Sequence, residues 1–436
     1  MADLGAVAAA VAAQTALAAG LFAMLRADSL DPPGVTRDPY GPGEQRAHAT
    51  VTNTARRMGL RVEQDFAANT YLTYAGRDPA APRVIVGSHL DSVPHGGNFD
   101  GAAGVVAGLV AVAALQRLGI TPSCDLTVMA IRAEESVWFE VSYIGSRAAL
   151  GTLPDGALGV RRRDTGLTLA EHIRACGGDP DALAARRRFL DPHGVRAYLE
   201  VHIEQAPSLV EARRPVGVCT GIPGTFRYPD ARIEGQADHV GTPRRFRRDA
   251  ALAGAEFAVA LDAMWEEREA AGVAMAWTLG KFHTDADSHG LTIVPGEFRF
   301  SLDVRAYDEA HLADLDHRVD AIIAGIEQRR GVTFHRGVKT GARIGRVDPD
   351  IASAMAAGAG ALGIPVLENA SPASHDGAAF AAEGVKIAML FVRNENGSHN
   401  PREAMELQDF MAACKVLTLW LAENLGGSEP LGNSRK

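Results

Sequence analysis

Cysteine is scarce. Cys124, Cys176, Cys219 and Cys414 are the only four in 436 residues, and no two of them form a CxxC pair. A cysteine metal site does not fit that spacing, and a reduced, cytoplasmic setting does. A surplus of basic residues is also missing: 44 Lys and Arg stand against 53 Asp and Glu, a net charge of −9. That argues against nucleic-acid binding, which needs a basic footprint. Beyond the first 25 residues, no 18-residue apolar, charge-free run suggests a membrane span. The stretch 1–25 is alanine-rich and apolar, but it carries Asp3 and no Lys or Arg where export signals carry their positive charge. A helix packed on the core is expected there rather than a signal peptide. Internal repeats are absent.

What is present reads as a globular enzyme of two domains, 47% hydrophobic and 22% charged. From about residue 84 to 201, strand-like and helix-like runs alternate, including a small-residue helix pattern over 101–118. This is α/β patterning with a mostly parallel sheet. The character changes near Glu211. Strands are expected over 216–220, 226–234, 274–281 and 291–304, with helices over 247–271 and 309–329. Such a unit predicts a ferredoxin-like α+β domain inserted over 212–330 into a larger domain made of 1–211 and 331–436. The α/β pattern resumes after Val332 and closes with a helix over 407–425. The end, 426–436, is polar and expected to fray.

Five separated stretches carry acids and imidazoles: Gly87-Ser88-His89-Leu90-Asp91, Phe99-Asp100-Gly101, Glu134-Glu135, His202-Ile203-Glu204-Gln205 and Gly397-Ser398-His399-Asn400-Pro401. At least four of them follow an apolar run that reads as a strand. In an open parallel sheet the carboxyl ends of the strands line one crevice, so these residues can converge. Three imidazoles and several carboxylates at one point suit a pair of borderline metal ions such as zinc. Each stretch alone has an ordinary alternative. Asp100 could be a plain helix N-cap, His202 a satisfied core residue, and His399 a turn residue. Glu134-Glu135 is harder to explain that way. Two adjacent carboxylates cannot point the same way, so one can ligate a cation while the other handles protons. In His89-Leu90-Asp91 the carboxylate can accept the second ring N–H and aim the imidazole.

These stretches resemble the hydantoinase/carbamoylase family of metal-dependent amidohydrolases, relatives of di-zinc aminoacylases and exopeptidases. The likeness runs from Pro33-Gly34-Val35-Thr36-Arg37 to the last helix. Its most specific part is Gly87 to Asp100-Gly101 with His202-Ile203-Glu204-Gln205. The resemblance implies that Asp100 bridges two divalent ions, with His89 and His202 at one and Glu135 and His399 at the other. Zinc comes first, with manganese, cobalt or nickel as alternatives. It makes Glu134 the general base and Asp91 the residue that orients His89. His239 would stabilise the oxyanion in a partner subunit's site. Gln205 and Arg305 would bind substrate, and Arg305 would pair with a substrate carboxylate. The inserted domain would be a lid and dimer surface of a homodimer.

The chain departs from the family pattern in places. Thr292 stands where an asparagine that helps hold the substrate carboxylate is usual. Ser136-Val137-Trp138-Phe139 replaces a Gly-Arg that often follows the glutamate pair. Thr242-Pro243-Arg244-Arg245 replaces Thr-Thr-Pro-Met. The expected activity is hydrolysis of a linear amide or ureido C–N bond in a small carboxylate-bearing compound, an N-carbamoyl-L-amino acid first. An allantoate-type ureido acid or an N-acyl amino acid is the alternative among amidohydrolases. An aminopeptidase-like exopeptidase and a non-catalytic ligand-binding protein on the same fold are the rivals. Neither nucleic acid nor membrane is an expected partner.

Overall fold

The computed structural model describes residues 2–426, so the polar end from 427 on lies outside the described residues. The chain divides into two compact units, 1–222 with 345–436, and 223–344.

The larger unit is built on an eight-stranded sheet. Its centre is four adjacent, mutually parallel strands: Ile387–Val392, Val195–Ile203, Arg83–His89 and Leu126–Ile131. Thr70–Tyr74 and Arg61–Gln64 add antiparallel at one side. At the other side, Val216–Cys219 runs antiparallel to Ile387–Val392 and parallel to Val366–Asn369. The central strands are continuous apolar runs because both of their faces are covered. Along Arg83–His89 the side chains alternate. Val84 and Val86 enter one core with the helices Ala102–Arg117 and Leu407–Leu425, and Ile85 enters another with Tyr198, Phe380 and Phe391. Leu4–Asp28, apolar and long enough to span a membrane by length and composition, folds as two helices, Leu4–Ala12 and Thr15–Asp28. They bury Val7, Val11, Leu21 and Leu25 in the first core, so this segment packs on the protein as its sequence suggested.

In the smaller unit, Met275–Thr278, Glu297–Ala306, Gly224–Glu234 and Thr333–His335 lie side by side in that order, all antiparallel. Numbered along the chain the order is 4-1-3-2, that of a β-α-β-β-α-β unit, with Ala250–Ala270 and Glu309–Arg330 as its helices. Phe257, Phe300, Val319 and Ile326 form its core.

The expected boundaries, 212 and 330, need correction at both ends. Val216–Cys219 belongs to the large sheet, and Thr333–His335 and Thr340–Ala342 pair with Gly224–Glu234 in the small one. Strands of three or four residues carry no mark of their partner, because pairing is decided by contacts remote in sequence.

Candidate functional site

The four central strands run parallel and end at one edge of the sheet, and the acid-and-imidazole stretches meet there. His89 is the last residue of Arg83–His89, and His202 the penultimate residue of Val195–Ile203. Glu134 and Glu135 follow Leu126–Ile131 after Ala133, whose backbone has φ of 52°. His399 lies in the loop after Ile387–Val392, with φ of 58°. Asp100 precedes Gly101, which opens the helix Ala102–Arg117 at φ of 65°. Glycine is required at 101 twice over: the positive φ favours it, and a Cβ would lie 2.5 Å from the His89 ring.

Asp100 stands in the middle of the cluster. Its Oδ1 is 3.6 Å from His89 Nε2 and 3.2 Å from His202 Nε2. Its Oδ2 is 3.3 Å from His399 Nε2, which is 3.1 Å from Glu135 Oε1. His89, Asp100 and His202 form one group able to hold a cation, and Asp100, Glu135 and His399 form a second. The first passes a test of its chemistry. His202 Nδ1 lies 2.8 Å from the Ile203 carbonyl, so it carries the hydrogen. Gly101 N–H donates to Nε2 at 3.3 Å, which leaves that nitrogen as an acceptor. His89 Nδ1 is 3.1 Å from the Asp91 carbonyl, so its Nε2 is bare as well. Two bare imidazole nitrogens thus face a buried carboxylate oxygen that has no hydrogen-bond donor of its own. Lone pairs converging with no proton between them are what a divalent cation satisfies.

The carboxylates of the cluster favour positive charge on their neighbours, either a proton on the imidazoles or a cation between them. Burial alone would raise the Asp100 pKa, yet contacts from His202, His399 and His89 hold it well below the usual carboxylate range. Burial opposes charge on His89, but Asp100 and Asp91 outweigh it and leave His89 well above the usual imidazole value. Glu134 is different. Burial pushes its carboxyl well above the ordinary range; His89 opposes this, and Glu135 adds to it. A carboxyl raised in this way holds a proton more readily than an ordinary one, which suits a group that takes and passes on protons.

Asp91 does more than the sequence suggested. Its Oδ1 is 3.4 Å from His89 Nδ1. The same carboxylate accepts the backbone N–H groups of Glu134 and Glu135, both at 3.0 Å. It therefore holds the glutamate pair as well as facing the histidine. Trp138, one of the departures from the family pattern, ties the same loops together by donating from Nε1 to the Ser92 carbonyl at 3.2 Å.

Residues 85–423 match the peptidase family M20/M25/M40. The chain belongs to that family. It is 37% identical over 399 residues to an N-carbamoyl-L-amino acid amidohydrolase of Geobacillus stearothermophilus, covering 89% of this chain and 93% of the relative. A probable allantoate deiminase of Oryza sativa subsp. japonica is 29% identical over 88% of this chain and 83% of its own length. Among solved structures, a hydantoinase/carbamoylase family amidase from Burkholderia ambifaria superposes with a TM-score of 0.78 at 28% identity, over 95% of this chain and 98% of its own. The resemblance drawn from the motifs is therefore sound, and the chain stands among the hydantoinase/carbamoylase members of the M20 family.

Other residues expected at the site fall as follows. Gln205, with φ of 63°, donates from Nε2 to Asp100 Oδ2 at 2.9 Å. His239, Thr292 and Arg305 lie in the smaller unit. His239 pairs with Ile293 in a short antiparallel ladder, and Val240 N–H donates to the Thr292 carbonyl at 2.8 Å, so His239 and Thr292 lie at one two-stranded pairing of segments remote in sequence. Arg305 points Nε at Asp303 Oδ1 at 3.0 Å, and Arg227 donates to Asp303 Oδ2 at 2.6 Å from the neighbouring strand. No role was expected for Arg227, Ser398 or Glu403, whose hydrogen bonds reach Asp303 and Asp100. Ser398 was legible as the neighbour of His399. Arg227 was not, because only strand register sets it beside Asp303.

Proposed function

We propose that this protein hydrolyses a linear ureido or amide C–N bond in a small carboxylate-bearing compound, an N-carbamoyl-L-amino acid first. One observation carries the reading: four ligand-type residues, His89, His202, Glu135 and His399, converge on Asp100 beside Glu134, whose carboxyl is raised by burial. His89, His202 and Asp100 would hold one divalent ion, and Asp100, Glu135 and His399 a second, with zinc as first choice and manganese, cobalt or nickel as alternatives. Such ions supply a nucleophile at neutral pH and polarise a carbonyl. Glu134 takes the proton of the attacking water and delivers it to the departing nitrogen. The C–N bond to the amino acid breaks, the amine leaves, and the carbamate decays to ammonia and carbon dioxide. Asp91 keeps Glu134 and Glu135 in register. His239 supports the oxyanion at a partner subunit's site, with the smaller unit as lid and dimer surface. Arg305, Gln205 and Thr292 receive the substrate, Arg305 by its carboxylate. The four cysteines, all free thiols, suit a cytoplasmic home.

A panel of ureido and acyl acids on metal-reconstituted protein tests this, scored for ammonia and for free amine. Turnover of N-carbamoyl amino acids releases both. Ammonia without amine favours the allantoate-type reading, to which the rice relative lends support. Amine without ammonia favours an acyl substrate. No turnover by metal-loaded protein refutes the enzyme reading.

A further inference from the structure

Glu403 is a buried carboxylate to which the chemistry above gives no task. It follows His399 by four residues, in the turn before the short strand Ala404–Met405. Its Oε1 accepts the backbone N–H of Phe99 at 2.8 Å and that of Asp100 at 3.3 Å. Its Oε2 accepts the Ser398 hydroxyl at 2.8 Å. That hydroxyl also lies 2.5 Å from Asp100 Oδ2. One side chain therefore joins two segments some 300 residues apart in sequence, the turn that presents Asp100 and the loop that presents His399. The space it occupies exists because residue 97 is glycine: a Cβ there would lie 2.0 Å from Glu403 Cδ. Arg37, wholly buried, binds the Asn98 side chain and carbonyl and the Leu90 carbonyl, and its charge favours the Glu403 carboxylate nearby.

The two candidate cation groups that share Asp100 are not equally supported. His89 and His202 are buried at strand ends. His399 is half-exposed on a loop with positive φ. The group it forms with Asp100 and Glu135 depends on how far that loop stands from Asp100. We propose that Glu403 is a positioning residue that fixes the His399 loop against the Asp100 turn and so sets the affinity of the Asp100–Glu135–His399 group for its ion. This rests on the two-ion reading above.

The test uses the full-length protein, stripped and titrated with zinc under chelator competition, with elemental analysis for stoichiometry and thermal melting of the stripped form. Wild type should take up two ions. Outer-shell partners are typically worth about 10–100-fold in metal affinity, so Glu403→Ala should weaken one ion by that factor and leave the other within about threefold. Glu403→Gln keeps an oxygen for the two amides and should recover most of the loss. A folded Glu403→Ala that binds both ions like wild type overturns the proposal. So does equal weakening of both ions with a lowered melting temperature of the stripped form, which is the mark of a merely structural role. If Glu403→Ala does not fold, Ser398→Ala cuts the link between Glu403 and the His399 loop together with the hydroxyl contact to Asp100 Oδ2; because Asp100 serves both groups, loss of that contact alone would weaken both ions. Weakening of the same single ion supports the proposal, and unchanged binding or equal weakening of both overturns it. A wild type that never takes up a second ion refutes the two-ion reading itself, and that result is read without any variant.

Discussion

Asp91→Asn changes one oxygen for an amide group and removes a charge, at a residue with no exposed surface. In the native protein the two carboxylate oxygens accept one backbone N–H each, from Glu134 and Glu135 at 3.0 Å. Asparagine offers one acceptor. Its NH₂ must face the other backbone N–H, so one hydrogen bond becomes a donor–donor contact and the surviving one loses its charge. A hydrogen bond to a charged group is worth about 1.5–3 kcal/mol, and a buried donor left unpaired costs about 1–3 kcal/mol, so a loss of roughly 2–5 kcal/mol is expected. The displaced loop carries both the proposed base and a proposed ligand. Activity should therefore fall further than stability requires, and uptake of the ion that involves Glu135 should weaken. Denaturant unfolding, metal content and kcat at saturating metal measure the three effects. If Asp91 served only to aim His89, the ion at His89 and His202 would weaken instead. A variant within about 0.5 kcal/mol of wild type and with unchanged kcat would refute the reasoning, because one charged hydrogen bond cannot be lost and a second neutralised at that cost.

Glu134→Gln should retain its ions and fold while losing about 10²–10⁴-fold in turnover, the usual worth of a general base; turnover within a few-fold of wild type would remove Glu134 from that role. His239→Ala should lower kcat by about 10²–10³-fold without metal loss, and mixing it with Glu134→Gln should restore partial activity in hybrid dimers; no recovery despite subunit exchange would confine the histidine to its own chain. Arg305→Lys should impair acids far more than the matching amides, since a point charge replaces a planar fork that Asp303 holds at 3.0 Å; equal effects on both would end the carboxylate assignment. His48 gives a pH test away from the site. Burial, helped by Arg132, holds its imidazole well below the usual value, with Nδ1 2.9 Å from Thr70 Oγ1. The folded state then takes up a proton less readily than the unfolded chain. The stability His48 contributes is complete above about pH 6.5 and is lost as pH falls below it, by at most about 1.4 kcal/mol per unit. Melting curves of His48→Gln should therefore lose less between about pH 6.5 and 5 than those of wild type, and parallel losses would refute the assignment.

The sequence determined which residues could meet. Continuous apolar runs such as Leu126–Ile131 mark strands buried on both faces, and a histidine or acid placed just after such a run must emerge at the carboxyl edge of the sheet. His89, Glu134, Glu135, His202 and His399 could be named for that reason, because strand periodicity and strand-end position are local properties; Asp100 stood out instead as the acid that opens a helix. Tertiary structure alone decided what holds them. Nothing in His89-Leu90-Asp91 says that the aspartate would take two backbone N–H groups from residues 134 and 135, more than forty positions away. Nor does the sequence indicate that Glu403 would reach Phe99 and Asp100, or that Arg227 would share Asp303 with Arg305. The misplaced boundaries have the same origin. Val216–Cys219 and Thr333–His335 are too short to state a preference, and each joined the sheet whose free edge the rest of the fold brought to it. Side-chain type and local pattern are written residue by residue. Hydrogen-bond partners and strand neighbours depend on distances that only the folded chain sets.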